Sequence, residues 1–172
     1  LQPGELPELW NITHPEEIRG IHRRYMEAGS DIVLTNTFGA NSLKFHHDSC
    51  SLEEIVNAAV GHVKAAAEQC GRAERVYTAL DVGPTGKLLK PMGDLDFESA
   101  YEAFREVMVL GEKAGADLIH IETMSDTYEL KAAVLAAREN TSLPVFATAI
   151  FDERGKLLTG ADVPPAVPLL EG

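Results

Sequence analysis

Apolar positions along this chain follow two alternating patterns, helical stripes with a period of about 3.6 residues and short unbroken runs. Thr13-His-Pro-Glu16 has the form of a capping box with Pro in the first turn, and Ile18, Ile21, His22 and Tyr25 then share one helical face up to Gly29. The run over 31–36 is apolar enough for a strand buried on both faces. Ser51-Leu-Glu-Glu54 opens a second helix, whose stripe is Leu52, Ile55, Val56, Ala59, Val60, Val63, Ala67 and Cys70, stopped by Gly71. A strand over 76–81 and a loop over 82–93 follow. The next helix runs from Asp96 to Gly115 with Phe97, Ala100, Phe104, Val107, Met108 and Ala114 inward. A strand over 117–122 leads to a third box, Asp126-Thr-Tyr-Glu129, with Leu130, Ala133, Val134 and Ala137 on the inner face of its helix. The last strand spans 144–150, residues 151–160 turn at Arg154-Gly155, and a further helix begins near Val163. Residues 1–12, with two prolines and no period, form a loop pinned by Trp10 and Ile12.

Such alternation predicts a parallel sheet, which closes either as a doubly wound sheet or as part of an eight-stranded barrel. An internal echo favours the barrel. Ala28-Gly-Ser-Asp-Ile-Val-Leu-Thr-Asn-Thr37 returns 86 positions later as Ala114-Gly-Ala-Asp-Leu-Ile-His-Ile-Glu-Thr123. Each copy reads as a helix end, a Gly stop, a strand and a polar tip. The spacing corresponds to two β/α units of equal length. A full barrel takes about 250 residues, so the fold class is α/β, a partial (β/α)8 TIM barrel of about strands 2 to 5 with their helices. The whole of 1–172 is then one fragment of a barrel domain. The first residue is Leu and the chain stops where a helix begins, which fits a piece of a longer protein.

Composition narrows the partners. Fifteen basic against 27 acidic residues give a net charge of −12, which argues against nucleic acid and anionic membrane, since both need clustered Lys and Arg. No apolar stretch approaches the ~20 residues of a membrane helix and no signal peptide is visible, so a cytoplasmic protein is expected. Cys50 and Cys70 form neither a close-spaced ligand pair nor a disulfide scaffold.

Candidate chemistry gathers at the strand tips, where α/β barrels place their sites. Glu122 ends an apolar strand, an expensive position for a carboxylate unless it meets a cation. It is either a rim ion pair or an anchor for a substrate ammonium. Thr35, Asn36 and Thr37 offer neutral donors and acceptors at the same rim, although Thr is also a good strand residue. Asp81-Val-Gly-Pro-Thr-Gly-Lys87 is not a phosphate loop, because only two residues separate its glycines and Leu88 follows the Lys. It reads as a tight turn or as a backbone wall of a ligand site. His120 is expected to be a core or helix-facing histidine, and His46-His47 a surface pair.

Thr35-Asn-Thr-Phe-Gly39, Asp81 through Asp94, Ile121-Glu-Thr-Met-Ser-Asp126 and Phe151 through Gly160 resemble the homocysteine S-methyltransferase family over nearly the whole chain. Within that family they look most like the homocysteine-binding domains of cobalamin-dependent methionine synthases. The resemblance implies a (β/α)8 barrel in which zinc, held by three cysteines, activates the homocysteine thiol. The methyl group then comes from methylcobalamin or 5-methyltetrahydrofolate, with cobalamin and folate carried by other domains. Glu122 matches the glutamate that binds the homocysteine amino group, Thr35 to Phe38 match the segment lining the amino-acid pocket, and Asp81 is placed with them. The zinc cysteines of the family follow later strands, expected beyond Gly172, and neither Cys50 nor Cys70 matches one. An Asp-bearing first strand is expected before Leu1. Betaine-using relatives carry Tyr where this chain has Gly39, which disfavours that donor; S-methylmethionine is another donor used in the family. Two other readings remain: a non-catalytic fragment that self-associates through open sheet edges, and an unrelated barrel such as an aldolase or pterin-binding domain. For the latter, no Schiff-base Lys or phosphate-binding strand can be identified.

Overall fold

The computed structural model describes residues 5–45 and 49–171, so the expected His46-His47 pair lies outside the described residues. A 3-10 turn, Pro7–Leu9, and a one-turn helix α1, Trp10–Thr13, precede α2, Pro15–Glu27. Strands and helices then alternate as β1 Ile32–Leu34, α3 Leu52–Gln69, β2 Tyr77–Val82, α4 Phe97–Ala114, β3 Leu118–Met124, α5 Thr127–Asn140, β4 Val145–Ala149 and α6 Val163–Glu171. The strands pair in parallel in chain order, β1-β2-β3-β4. A doubly wound sheet would reverse its order at a switch point. An unbroken sequential order, with α2 on α3, α3 on α4 and α4 on α5, is instead the arrangement of a barrel wall.

Of the three capping boxes, one forms as expected. The Ser51 hydroxyl accepts from the Glu54 amide (3.2 Å) while Glu54 accepts from the Ser51 amide (2.8 Å). Thr13 instead closes α1, its hydroxyl donating to the Leu9 carbonyl (3.1 Å), and His14 becomes the N-cap of α2 without a side-chain cap bond. Asp126 caps α5 through the Tyr128 amide (2.9 Å), but Glu129 turns away to bond Thr85. The inner face of α2 also differs from the expected one. Ile18, His22 and Met26 are buried, whereas Ile21 and Tyr25 are 36% and 61% exposed. They border an open groove of about 500 Å³ along β1, shared with Ile32 and Leu34.

The core lies between the helices and one face of the sheet. Val56, Leu80, Phe104, Val107, Ile119 and Ile121 are all but inaccessible, each contributing about 1.5–3 kcal/mol by burial. The α4–β2 contact is so close that a side chain at Gly111 would run into the methyl groups of Leu80. Leu80 thus faces the helices, and Asp81 faces the other way, since successive strand side chains alternate. Register carries that second face across the sheet: Ile32 pairs with Tyr77, Asp81 with His120, and His120 with Phe146. Ile32, Tyr77 and Phe146 are 46%, 58% and 53% exposed. The concave face of the sheet is therefore open, and it holds the polar strand tips.

Candidate functional site

The site starts from β2. Thr35 continues the ladder through its amide to the Ala79 carbonyl (2.9 Å), but the chain then leaves the sheet because its hydroxyls bond Asp81. The Thr37 hydroxyl donates to the Asp81 carbonyl (2.7 Å), and the Asp81 amide donates to the Thr35 hydroxyl (3.0 Å). Each hydroxyl has one proton, so in the 2.7 Å contact between them Thr35 is the donor and Thr37 the acceptor. This closed circuit, buried at every atom, grips the backbone of Asp81 from both sides. It also ends β1 at Leu34 rather than at residue 36.

Asp81 is 6% exposed, and its Oδ1 has no hydrogen-bond partner. On β3 its register partner His120 and, two residues on, Glu122 share its face. One ligating atom from each of the three lies within 4.8 Å of the others. Burial, with the Glu122 charge, a hydrogen bond to Glu122 and the Glu8 charge behind it, pushes the Asp81 carboxyl up to about 8. The ion pairs among the described residues involve none of these carboxylates. An acidic, partly buried cluster results, with no ion-pair partner among the described residues, and such a cluster favours a positively charged guest.

β3 runs past Glu122 because of a bulge. Ile121 pairs with Ala147 and Met124 with Ala149, so Glu122 and Thr123 together oppose the single residue Thr148. Thr123 takes φ 64°, a left-handed conformation costing a β-branched residue about 1–2 kcal/mol. The Thr123 amide donates to the Thr148 hydroxyl (3.3 Å), and its own hydroxyl donates to Glu122 Oε2 (3.4 Å). Bulges of this kind re-aim a side chain beside a site, here Glu122.

Two residues join that the sequence pattern did not place at the site. Glu8, in a stretch without period, is buried against the rim and accepts the Gly39 amide (2.6 Å). A Cβ at Gly39 would stand 2.7 Å from the same oxygen, so a side chain there would displace the Glu8 carboxylate. His120, expected against the core or helices, is half-buried on the open face with Nδ1 unpartnered. Its i, i+2 spacing from Glu122 was the available signal. Of the expected residues, Asp81 and Glu122 meet directly, and Thr35 and Thr37 bond to the Asp81 backbone. Asn36 donates to the Pro7 carbonyl (2.8 Å) and its carbonyl accepts from Asn11 (2.8 Å), tying the N-terminal segment to the rim. Phe38 forms the wall beside the 82–93 loop: its carbonyl accepts from Gly83 (3.1 Å), and Lys44 Nζ lies 5.2 Å from its ring centroid. That loop is bolted to α5, with the Thr85 amide and hydroxyl both donating to buried Glu129 (2.7 and 2.6 Å).

A three-cysteine zinc site does not fit the residues present. Cys50 and Cys70 flank α3 at opposite ends, about 27 Å apart by helix rise. The Asp81–His120–Glu122 group offers oxygen and nitrogen but no thiolate.

The sequential parallel sheet with its flanking helices is a wall of a β/α barrel, with an acidic cluster at its strand tips. A family model described as homocysteine S-methyltransferase matches residues 4–171, and the chain belongs to that family. It is similar to the methionine synthases of Mycobacterium tuberculosis (strain ATCC 25618 / H37Rv) and Mycobacterium leprae (strain TN), at 31% and 30% identity over 95% of the chain. The chain spans 14% of the length of those relatives. Among solved structures it is similar to the homocysteine methyltransferase MmuM from Escherichia coli in its apo form (TM-score 0.78, 20% identity, 99% of this chain and 62% of that one). The metallated form matches with TM-score 0.83 at 21% identity, over 100% of this chain and 65% of that one. At such identity the likeness carries the fold, that of a homocysteine methyltransferase barrel.

Proposed function

We propose that this chain supplies the amino-acid-binding wall of a homocysteine S-methyltransferase, whose reaction moves a methyl group to the homocysteine sulfur and gives methionine. The observation that carries the reading is the pairing of buried Asp81 with half-buried Glu122, brought together at the ends of β2 and β3 without an ion-pair partner among the described residues. Glu122 takes the ammonium of homocysteine. Asp81 stands beside it, held by Thr35 and Thr37, and Asn36 and Phe38 shape the rim. An arriving ammonium replaces the proton that Asp81 otherwise keeps, so the pocket is matched to an α-amino acid rather than to a neutral thiol.

The methyl donor we assign is methylcobalamin regenerated from 5-methyltetrahydrofolate, on cobalamin- and folate-binding domains, as the resemblance of the sequence motifs implies; betaine and S-methylmethionine are the competing donors. A side chain at Gly39 would collide with Glu8, which supports the reading against a betaine-type pocket carrying Tyr at that position. The zinc of the family, where bound, supplies a metal-held thiolate. The cysteines of this chain do not fit it, so we place its ligands, with the first strand and the last three, outside residues 1–172, and we place the enzyme in the cytoplasm. Among the described residues no helix is long and apolar enough to cross a membrane.

In the full-length protein, Glu122→Gln is expected to weaken L-homocysteine binding by about 10–100-fold, the loss of a charge-assisted hydrogen bond. Calorimetric titration measures it, and an unchanged affinity would overturn the assignment. A second reading, self-association of the isolated chain, is favoured by the exposed β4 edge and Phe146. Sedimentation tests it, a stable monomer being the contrary result.

A further inference from the structure

The acidic pocket leaves one polar group without an explanation. His120 contributes nothing to the core between sheet and helices: its neighbours Ile119 and Ile121 point there, whereas its own register partners Asp81 and Phe146 lie on the open face. Its Nδ1 is nevertheless buried and unpartnered, and Asp81, more than nine-tenths buried and part of the same cluster, carries an equally unpartnered Oδ1. Two orphaned acceptors beside Glu122 are costly in a protein interior, about 1–3 kcal/mol each, unless a donor enters between them.

We infer that His120 is a further substrate-binding residue, a ring nitrogen of which accepts the third N–H of the substrate ammonium while Asp81 and Glu122 accept the other two. The inference rests on the homocysteine reading above and adds a specificity determinant to it. An ammonium carries three donors and no acceptor, so a desolvated one needs three acceptors arranged around it. At hydrogen-bond distances of about 2.9 Å, tetrahedral geometry sets those acceptors about 4.7 Å from one another. Asp81, His120 and Glu122 offer one such atom each, all within 4.8 Å of one another. The division of labour also suits the charges. Two carboxylates answer the single positive charge and leave a net negative site that a third carboxylate would overload, whereas a neutral imidazole adds an acceptor without adding charge. A thiol lacking the amino group would leave all three acceptors dry and unpaired, so the cradle selects against it more strongly than two carboxylates alone would.

The test uses the full-length protein and L-homocysteine. His120→Leu removes the acceptor at similar volume, and His120→Asn returns a carbonyl acceptor near the Nδ1 position. The expected result is an affinity about ten-fold weaker in H120L, recovered largely in H120N, with the unliganded melting temperature of neither variant below that of wild type, as for a residue outside the core. An H120L protein with wild-type affinity would overturn the inference, as would a loss that H120N does not recover or one that tracks a fall in melting temperature. Wild-type protein that binds Mn2+ at micromolar concentration, with that binding lost in H120L, would also overturn it in favour of a metal site. The parent reading fails separately: an E122Q protein that keeps wild-type affinity refutes the homocysteine anchor, whereas E122Q weakened beside an unaffected H120L refutes only the role of His120.

Discussion

Replacing Asp81 by Asn isolates the energetic cost of the site. The substitution removes a titrating carboxyl but leaves the clamp intact, because Thr35 and Thr37 bond the backbone amide and carbonyl of Asp81 and not its side chain. In the unfolded chain this carboxyl titrates near its ordinary 3.8, and in the fold it is pushed up to about 8 by burial, Glu122 and Glu8. Between those values the folded state keeps a proton that the unfolded state has given up. The contribution of Asp81 to stability is therefore fully present below the unfolded value and is lost as pH rises towards the folded one. The slope is up to 1.36 kcal/mol per pH unit, reaching a ceiling of about 6 kcal/mol across the whole span. Asn does not titrate, so D81N escapes that loss. Urea unfolding of wild type and D81N at pH 5, 6, 7 and 8 gives the difference directly. The stability of D81N relative to wild type is expected to grow by about 2–4 kcal/mol from pH 5 to pH 8 and to level off above. Carboxyls held below their usual range, such as Glu54 through Ser51 and Glu112 through Ser142, cancel in the subtraction. A difference that stays constant with pH would refute the reasoning, since it would mean that Asp81 is as ionised in the folded pocket as in water.

Two further substitutions probe how the pocket is held. Thr37→Val deletes one hydroxyl of the buried circuit, taking a donor from the Asp81 carbonyl and the acceptor from the Thr35 hydroxyl proton, so chemical denaturation is expected to show a loss of about 2 kcal/mol; a neutral effect would mean that water takes its place. Gly83→Ala sets a Cβ 2.6 Å from both the ring and the carbonyl of Phe38, and melting is expected to reveal a loss of about 1–3 kcal/mol from forced overpacking, against no change if Phe38 is free to move aside.

What the order of residues determined by itself is the architecture. Helical stripes, Gly stops after Ala28 and Ala114, and unbroken apolar runs are local signals. They dictate alternating helices and buried strands wherever neighbours complete the burial, and the 86-residue echo already spoke for a barrel. Glu122 was legible for the same local reason, a carboxylate at the end of an apolar strand. The tertiary structure alone decided the rest, because each remaining feature joins residues far apart along the chain. Glu8 enters the site through a bond to Gly39, a partner that no period announces. Glu129 has the spacing of a capping-box residue, yet its carboxylate does more in the interior, where it satisfies the two donors of Thr85. Ile21 and Tyr25 share the apolar face of α2 by sequence, but only packing against α3 selects Ile18, His22 and Met26 for burial. The bulge at Thr123 depends on β4, and it is pairing between β2 and β3 that brings His120 to Asp81. Local sequence specifies which residues can face a pocket. The register between strands decides which of them meet, and so where the uncompensated charge of this site lies.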